Sequence, residues 1–114
     1  MHTIIRQHEL QPDRGDTVKF EGEPHGSGIS FFLVNVEPGK GPALHKHPYS
    51  ETWIVRSGSV RITADGVEIE AGPGDVGVVG AETPHKFINI GGDRLEMLCI
   101  HASPRMIQEW LRDK

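Results

Sequence analysis

The sequence has only one cysteine, Cys99, so no disulfide can form within the chain. This favours a reducing compartment and argues against a secreted protein held together by disulfides. The chain also lacks an apolar run long enough to span a membrane, and its opening residues do not resemble a secretory leader. We therefore expect a cytoplasmic protein with no membrane partner.

Positive charge is also in short supply. The chain carries 12 Lys and Arg against 16 Asp and Glu, for a formal net charge of −4, and the basic residues are scattered. Such a surface gives no electrostatic footprint for a phosphate backbone, so nucleic acid is not an expected partner. A length of 114 residues predicts a single domain, 1–114, with a core large enough to fold without disulfides.

Turn-forming residues, by contrast, are abundant. The 14 glycines and 8 prolines separate short runs rich in Val, Ile, Phe and Thr. Because no helical pattern lies between these runs, they predict an all-β sandwich or barrel, with Asp65-Gly66 as a two-residue hairpin turn. The predicted strands are 29–37, 51–56, 59–64, 67–70, 75–79, 85–90 and 95–101.

The two ends of the chain have other patterns. Near the C-terminus, the apolar residues fall at helical spacing: Met106, Ile107, Trp110 and Leu111. Ser103 precedes Pro104 as an N-cap residue would, so we predict a short helix at about 104–112, laid across the barrel. At the other end, we predict an edge strand in the stretch up to about Pro12 and a loop at 22–28.

Three histidines and one glutamate form a candidate metal site. In a strand, His45 and His47 would point to the same side, about 7 Å apart along the chain. Glu51 opens the next predicted strand with the same parity, and His85 begins a later one. Three imidazoles and a carboxylate suit one divalent ion such as Fe, Mn, Ni or Zn and leave coordination positions open. The alternative is a vestigial site whose histidines are only hydrogen-bonded.

These residues resemble the first motif of the cupin superfamily, G-x5-H-x-H-x3-E-x6-G. The segment from Gly39 to Gly58 matches it at every fixed position. The resemblance implies a small single-domain cupin, a jelly-roll-like double-stranded β-helix barrel, with its metal-binding core at 39–89. Its metal ligands would be the same four residues.

The second cupin motif, G-x5-P-x-G-x2-H-x3-N, is matched less completely. Its spacing fits from Gly74 through His85 to Asn89. However, Gly80 stands where the family has proline, and Glu82 stands where it has glycine. Since Pro84 still stiffens the turn, we expect the orientation of His85 to be kept.

Other residues are candidates for the surroundings of the metal. Five are expected to line a pocket: Trp53, Val55, Phe87, Asn89 and Tyr49. Core packing is the default for the first three, a structural role for Asn89, and an exposed turn for Tyr49. His101 could act as an acid or base beside the metal, or it could simply cap the end of the barrel. Cys99 lies on the same face, and we expect it to be a small buried side chain that fills space in the core.

Two functions follow from the resemblance. The first is a metal-dependent enzyme, either dioxygenase-like or an isomerase or lyase. The second is a non-catalytic module that binds a sugar or effector. Because Arg56 and Arg61 both have outward parity, we expect a small neutral or metal-chelating ligand. The doubly apolar strand from Ile29 and the apolar face at Trp110 predict a homodimer, which light scattering would test.

Overall fold

The computed structural model describes residues 2–112, which form two antiparallel sheets. The strands are β1 Gln11–Pro12, β2 Val18–Glu21, β3 Ser30–Val36, β4 His45–Lys46, β5 Glu51–Ser57, β6 Val60–Ala64, β7 Val67–Ala71, β8 Val76–Val79, β9 His85–Asn89, β10 Leu95–His101 and β11 Glu109–Trp110. The six-stranded sheet has the order β1-β2-β3-β10-β5-β8, and the five-stranded sheet has the order β11-β4-β9-β6-β7. The all-β prediction is confirmed. Among residues 2–112, no helix is long and apolar enough to cross a membrane.

Strict alternation of side chains separates the interior from the surface. In β9 and β10, and in β5 as far as Val55, every second residue is buried, as expected for strands with one face on a core. The buried apolar residues of both sheets form one cluster, which includes Val55, Val60, Leu95 and Met97. Polar residues occupy the same inward faces at one end of the barrel. This end therefore holds the candidate site.

Several glycines form the tight turns that the motifs require. Gly39, Gly58 and Gly74 all have positive φ, at 82°, 91° and 90°. The predicted hairpin turn at Asp65-Gly66 also has positive φ at both residues, 51° and 78°. Positive φ at both central residues is the conformation of a two-residue hairpin turn. The turn joins β6 to β7 in register.

The predicted C-terminal helix at 104–112 is wrong. The segment runs through bends into β11, which pairs with β4 and completes the five-stranded sheet. Its backbone groups bond to distant parts of the chain: Ile107 N to the Tyr49 hydroxyl, Ile107 O to His47 Nδ1, and Leu111 N to Leu44 O. A helix of this length is marginal by itself, so these tertiary partners override its periodicity.

The N-terminal part of the chain packs on the outside of β3. Phe20 of β2 stacks on Phe31 at 4.9 Å and on His25 at 5.4 Å between ring centroids. His25 belongs to a 3-10 turn, Glu23–His25, inside the predicted loop. The same chain thus covers part of the apolar strand that suggested a dimer, and Trp110 lies on a strand, not on a helix. The homodimer stays a prediction.

Candidate metal centre

Four side chains with metal-binding atoms meet at one end of the barrel. His45 lies on β4, Glu51 on β5 and His85 on β9, while His47 directly follows β4. One donor atom from each lies within 4.8 Å of all the others, and all four residues are buried. The pairing of His45 with His85 across β4 and β9 brings two of them together. The four metal ligands predicted from motif spacing therefore come together in one site.

The backbone orients the three imidazoles of this set. Each Nδ1 lies against a carbonyl oxygen: His45 against Ala43 at 2.7 Å, His47 against Ile107 at 2.8 Å, and His85 against Thr83 at 2.9 Å. A carbonyl can only accept, so each Nδ1 carries a proton; in the neutral ring, which is the form that binds a metal, Nε2 then keeps a lone pair. Metal-binding histidines are commonly held in this way, by a hydrogen bond from the nitrogen that does not face the metal.

These lone pairs converge on a group that also offers only acceptors. Glu51 Oε1 lies 3.0 Å from His47 Nε2 and 3.1 Å from His85 Nε2. Within the described residues, the buried Nε2 of His47 has no hydrogen-bond partner. Buried acceptors facing one another are unfavourable unless a cation lies between them. The donor set therefore fits a divalent ion such as Fe, Mn, Ni or Zn.

Burial also sets the protonation states of the cluster. Desolvation, together with the nearby His85 and His47, lowers the pKa of His45 from 6.5 to about 4. Burial by itself would raise the pKa of Glu51, but the surrounding imidazoles, His101 foremost, hold this pKa well below its ordinary value. At neutral pH His45 is therefore neutral and Glu51 is ionised, which are the forms that bind a metal.

Acid should destabilise the metal-free protein. The unfolded chain takes up a proton on His45 near pH 6.5, whereas the folded chain does so only near pH 4. Lowering the pH through this window therefore reduces the free energy of unfolding, by up to about 3 kcal/mol in total. The depressed pKa of Glu51 acts with the same sign at still lower pH. Urea unfolding of the metal-free protein as a function of pH measures the loss, and His45→Gln is expected to flatten it. An unchanged slope in His45→Gln would contradict this assignment.

The other oxygen of Glu51 faces hydrogen-bond donors. Trp53 Nε1 donates to Oε2 at 2.8 Å, and His101 Nε2 lies 3.3 Å from the same oxygen. His101 Nδ1 in turn lies 2.6 Å from the hydroxyl of Tyr49. Burial raises the pKa of this hydroxyl, so it stays protonated. The two carboxylate oxygens of Glu51 thus have different surroundings.

A cavity of about 990 Å³ opens onto the site. His45 and Glu51 form part of its wall, with His101 and Cys99 beside them. Apolar side chains line part of it: Phe32, Val34, Val36 and Phe87. Charged side chains also line it: Asp13, Arg14, Asp16, Glu37, Lys40 and Arg94. The cavity therefore offers both apolar and charged surface to a bound molecule.

The predicted pocket residues have different positions. Phe87 lies in the cavity wall, whereas Trp53 and Val55 pack in the core and Tyr49 contacts His101. Asn89 is buried, and its amide holds a turn. Nδ2 donates to the carbonyls of Val36 at 3.1 Å and Asp93 at 2.8 Å, and Oδ1 accepts from Gly91 N at 2.9 Å.

Sequence reasoning missed the cationic residues of the wall. Arg94 lies between β9 and β10 and binds Asp16 at 2.7 Å, 78 positions away. Neither residue belongs to a periodic pattern, and the contact forms only in the folded chain. Trp110 was also missed as a site residue. Its ring lies 5.1 Å from that of His45 because β11 pairs with β4.

The turn before His85 keeps its shape despite the departure from the motif. Glu82 has φ of 63°, the left-handed conformation that glycine adopts most easily. Its N–H donates to His47 O at 2.7 Å, and its carboxylate binds Lys46 at 3.2 Å. These contacts offset the backbone strain at Glu82, so the turn still places His85 in the site.

The fold and site define a metal-binding β-barrel protein, with three imidazoles and a carboxylate beside a cavity. The family model for the cupin domain matches residues 32–101. The chain therefore belongs to the cupin-domain family.

Two relatives match in sequence. The chain is 28% identical over 108 residues to L-ectoine synthase of Bordetella petrii, covering 93% of this chain and 80% of the relative. It is 36% identical over 70 residues to an uncharacterized protein of Methanocaldococcus jannaschii, covering 60% of this chain and 56% of the relative. The chain thus spans little more than half the length of the second relative.

Solved structures of oxalate decarboxylases share the fold. A single-residue mutant of the Bacillus subtilis protein superposes with a TM-score of 0.82 at 29% identity, covering 94% of this chain and 31% of that one. The formate complex of the Lactobacillus farciminis protein gives 0.80 at 25% identity, covering 91% and 34%. This chain thus spans about a third of each of these proteins. The Bacillus subtilis protein contains Mn(II) centres.

Proposed function

We propose that this cupin is a metal-dependent enzyme that acts on a small molecule able to chelate the metal. The observation that carries the proposal is the position of the four donors at the edge of the cavity. His45 and Glu51 line the cavity, and the donor atoms of His47 and His85 lie within 4.8 Å of theirs. A bound ion would therefore be within reach of a molecule in the cavity, where it would act as a Lewis acid.

The cavity wall supports a neutral or chelating substrate with an apolar part. Phe32, Val34 and Phe87 provide apolar surface near the donors. Arg94 is already compensated, since its guanidinium lies 2.7 Å from Asp16 and 4.0 Å from Glu37. Arg94 therefore does not require an anionic ligand to balance its charge.

The relatives support lyase-type chemistry as the first choice. Oxalate decarboxylase is named for a small molecule with paired carboxylates, which can bind a metal through two oxygens. L-ectoine synthase, the relative matched over most of its length, is also named as an enzyme. Manganese is the first metal to test, because the Bacillus subtilis neighbour has Mn(II) centres. Dioxygenase and isomerase activities are the other outcomes within the proposal.

The proposal includes a cytoplasmic location and a homodimer. The free thiol of Cys99 is buried and unpaired, in keeping with a reducing compartment. Exposed apolar side chains on the edge strands β7 and β8 give a second copy a surface to cover: Val67, Ile69, Val76 and Val78.

The test begins with elemental analysis of protein purified without added metal. We expect close to one equivalent of a divalent ion per chain. The loaded protein is then incubated with small hydroxy acids, diketones and dicarboxylates, with product analysis and an oxygen electrode. Product formation without O₂ uptake would support a lyase or isomerase, and product formation with uptake a dioxygenase. Ligand binding without turnover would indicate the non-catalytic module, and a protein that binds no added metal would overturn the proposal.

A further inference from the structure

We propose that His101, held by Tyr49, is a positioning residue that fixes the orientation of the Glu51 carboxylate, so that one oxygen of this group faces the metal. The inference rests on metal binding by His45, His47, Glu51 and His85, which is part of the proposed function. It does not depend on the reaction catalysed.

The hydrogen-bond partners of His101 give it the opposite tautomer from the three ligand histidines. The Tyr49 hydroxyl oxygen accepts a hydrogen bond from Ile107 N at 3.1 Å. Its own proton is free to be donated to His101 Nδ1, 2.6 Å away, and we assign it there. With Nδ1 as the acceptor, Nε2 of His101 carries the proton and faces Glu51 Oε2 at 3.3 Å. His101 therefore acts as a donor to the carboxylate and has no lone pair aimed into the site.

The two oxygens of Glu51 are consequently divided between two tasks. Oε2 receives Trp53 Nε1 at 2.8 Å in addition to His101. Oε1 faces Nε2 of His47 and His85 at 3.0 and 3.1 Å, the nitrogens that carry a lone pair when these rings are neutral. A partial rotation of the carboxylate, such as one that turned both oxygens toward the metal, would pull the outer oxygen away from both donors inside a buried site, which is costly. The pair of donors therefore holds Oε1 toward the metal.

This arrangement differs from one in which His101 is a fifth ligand. A ligand would need its proton on Nδ1 and its Nε2 lone pair directed at the metal. In the structure His101 Nε2 lies on the Oε2 side of the carboxylate, and the Tyr49 hydroxyl already occupies Nδ1. An amide donor at position 101 should therefore be able to take over the role of the imidazole. If His101 were a metal ligand, an amide donor could not do so.

The test compares His101→Gln with His101→Leu. The glutamine amide can still donate to Oε2, whereas leucine cannot. Mn(II) affinity is measured by competition with a chelator, and the EPR spectrum of the bound Mn(II) reports its coordination. We expect His101→Leu to weaken Mn(II) binding about 10- to 100-fold and to change the spectrum, as for other outer partners of metal ligands. His101→Gln should recover most of the affinity and the wild-type spectrum.

Two further measurements separate the alternatives. Tyr49→Phe keeps the ring but loses the hydroxyl that orients His101, and it is expected to weaken binding less than His101→Leu. Urea unfolding of each metal-free variant shows whether the fold itself has changed. Equal loss of affinity in His101→Gln and His101→Leu would overturn the proposal, as would wild-type affinity and spectrum in both His101→Leu and Tyr49→Phe. Failure of the wild-type protein to bind Mn(II) or any other divalent ion would instead overturn metal binding itself.

Discussion

Replacing His47 with alanine is expected to lower the affinity for a divalent metal by more than about 100-fold, beyond the loss typical of an outer partner of a ligand. His47 Nε2 is buried, carries a lone pair and has no hydrogen-bond partner among the described residues, so a metal is the group it is arranged to meet. Elemental analysis after dialysis, followed by competition with a chelator, measures the effect. We expect no metal to be retained.

Glu51→Ala should have the same effect on the metal and a larger effect on the fold. Removal of the carboxylate leaves the donors Trp53 Nε1 and His101 Nε2 buried without their partner. Each such group costs about 1–3 kcal/mol, so the metal-free variant should unfold at lower urea than His47→Ala. His8→Ala, at an exposed histidine, is the matched control and should keep wild-type metal content. Full occupancy in both His47→Ala and Glu51→Ala would exclude this set of ligands.

Local patterns were sufficient for seven of the eleven strands described in residues 2–112 and for the set of ligands. The strand predicted at 95–101 coincides with β10, and the other six differ from the structure by one residue at one or both ends. β2 and β11 were not predicted, and the N-terminal edge strand is limited to β1. Alternation with a period of two is a local property, so it survives in the sequence. His45, His47 and Glu51 lie within seven consecutive residues, and their shared parity follows from that alternation. His85 required the second motif, because a pairing across strands has no local signal.

Contacts between distant segments could not be predicted in the same way. Tyr49 and His101 are 52 positions apart, and His47 and Ile107 are 60 apart. The segment that contains Ile107 has helical periodicity, but its backbone is held by the tautomer-setting bond to His47 and by the pairing of β11 with β4. Tertiary partners therefore decided both the structure of this segment and its role beside the metal.

Gly41→Ala is expected to lower the free energy of unfolding by about 2–4 kcal/mol, which is at the upper end for overpacking. A Cβ at this position would overlap the carbonyl oxygen of Phe87 and lie 2.8 Å from its carbonyl carbon. These are backbone atoms of β9, which cannot move independently of the strand. The preceding residues bind the same strand, through Gly39 N to Asn89 O and Asn89 N to Lys40 O, both at 2.9 Å.

The same substitution should also weaken the metal site, because His85 lies two residues before Phe87 on the displaced strand. Displacement of β9 would separate His85 from His45, its partner across the pairing with β4.

Gly28→Ala is the matched control: no heavy atom lies within 4 Å of the added Cβ, and φ there is not positive. It should stay within about 0.5 kcal/mol of the wild type. Urea unfolding and Mn(II) affinity, measured on both variants, separate the two effects. The prediction is contradicted if Gly41→Ala matches Gly28→Ala in both stability and Mn(II) affinity. In that case β9 can shift without loss, and close backbone packing is not what holds His85 in the site.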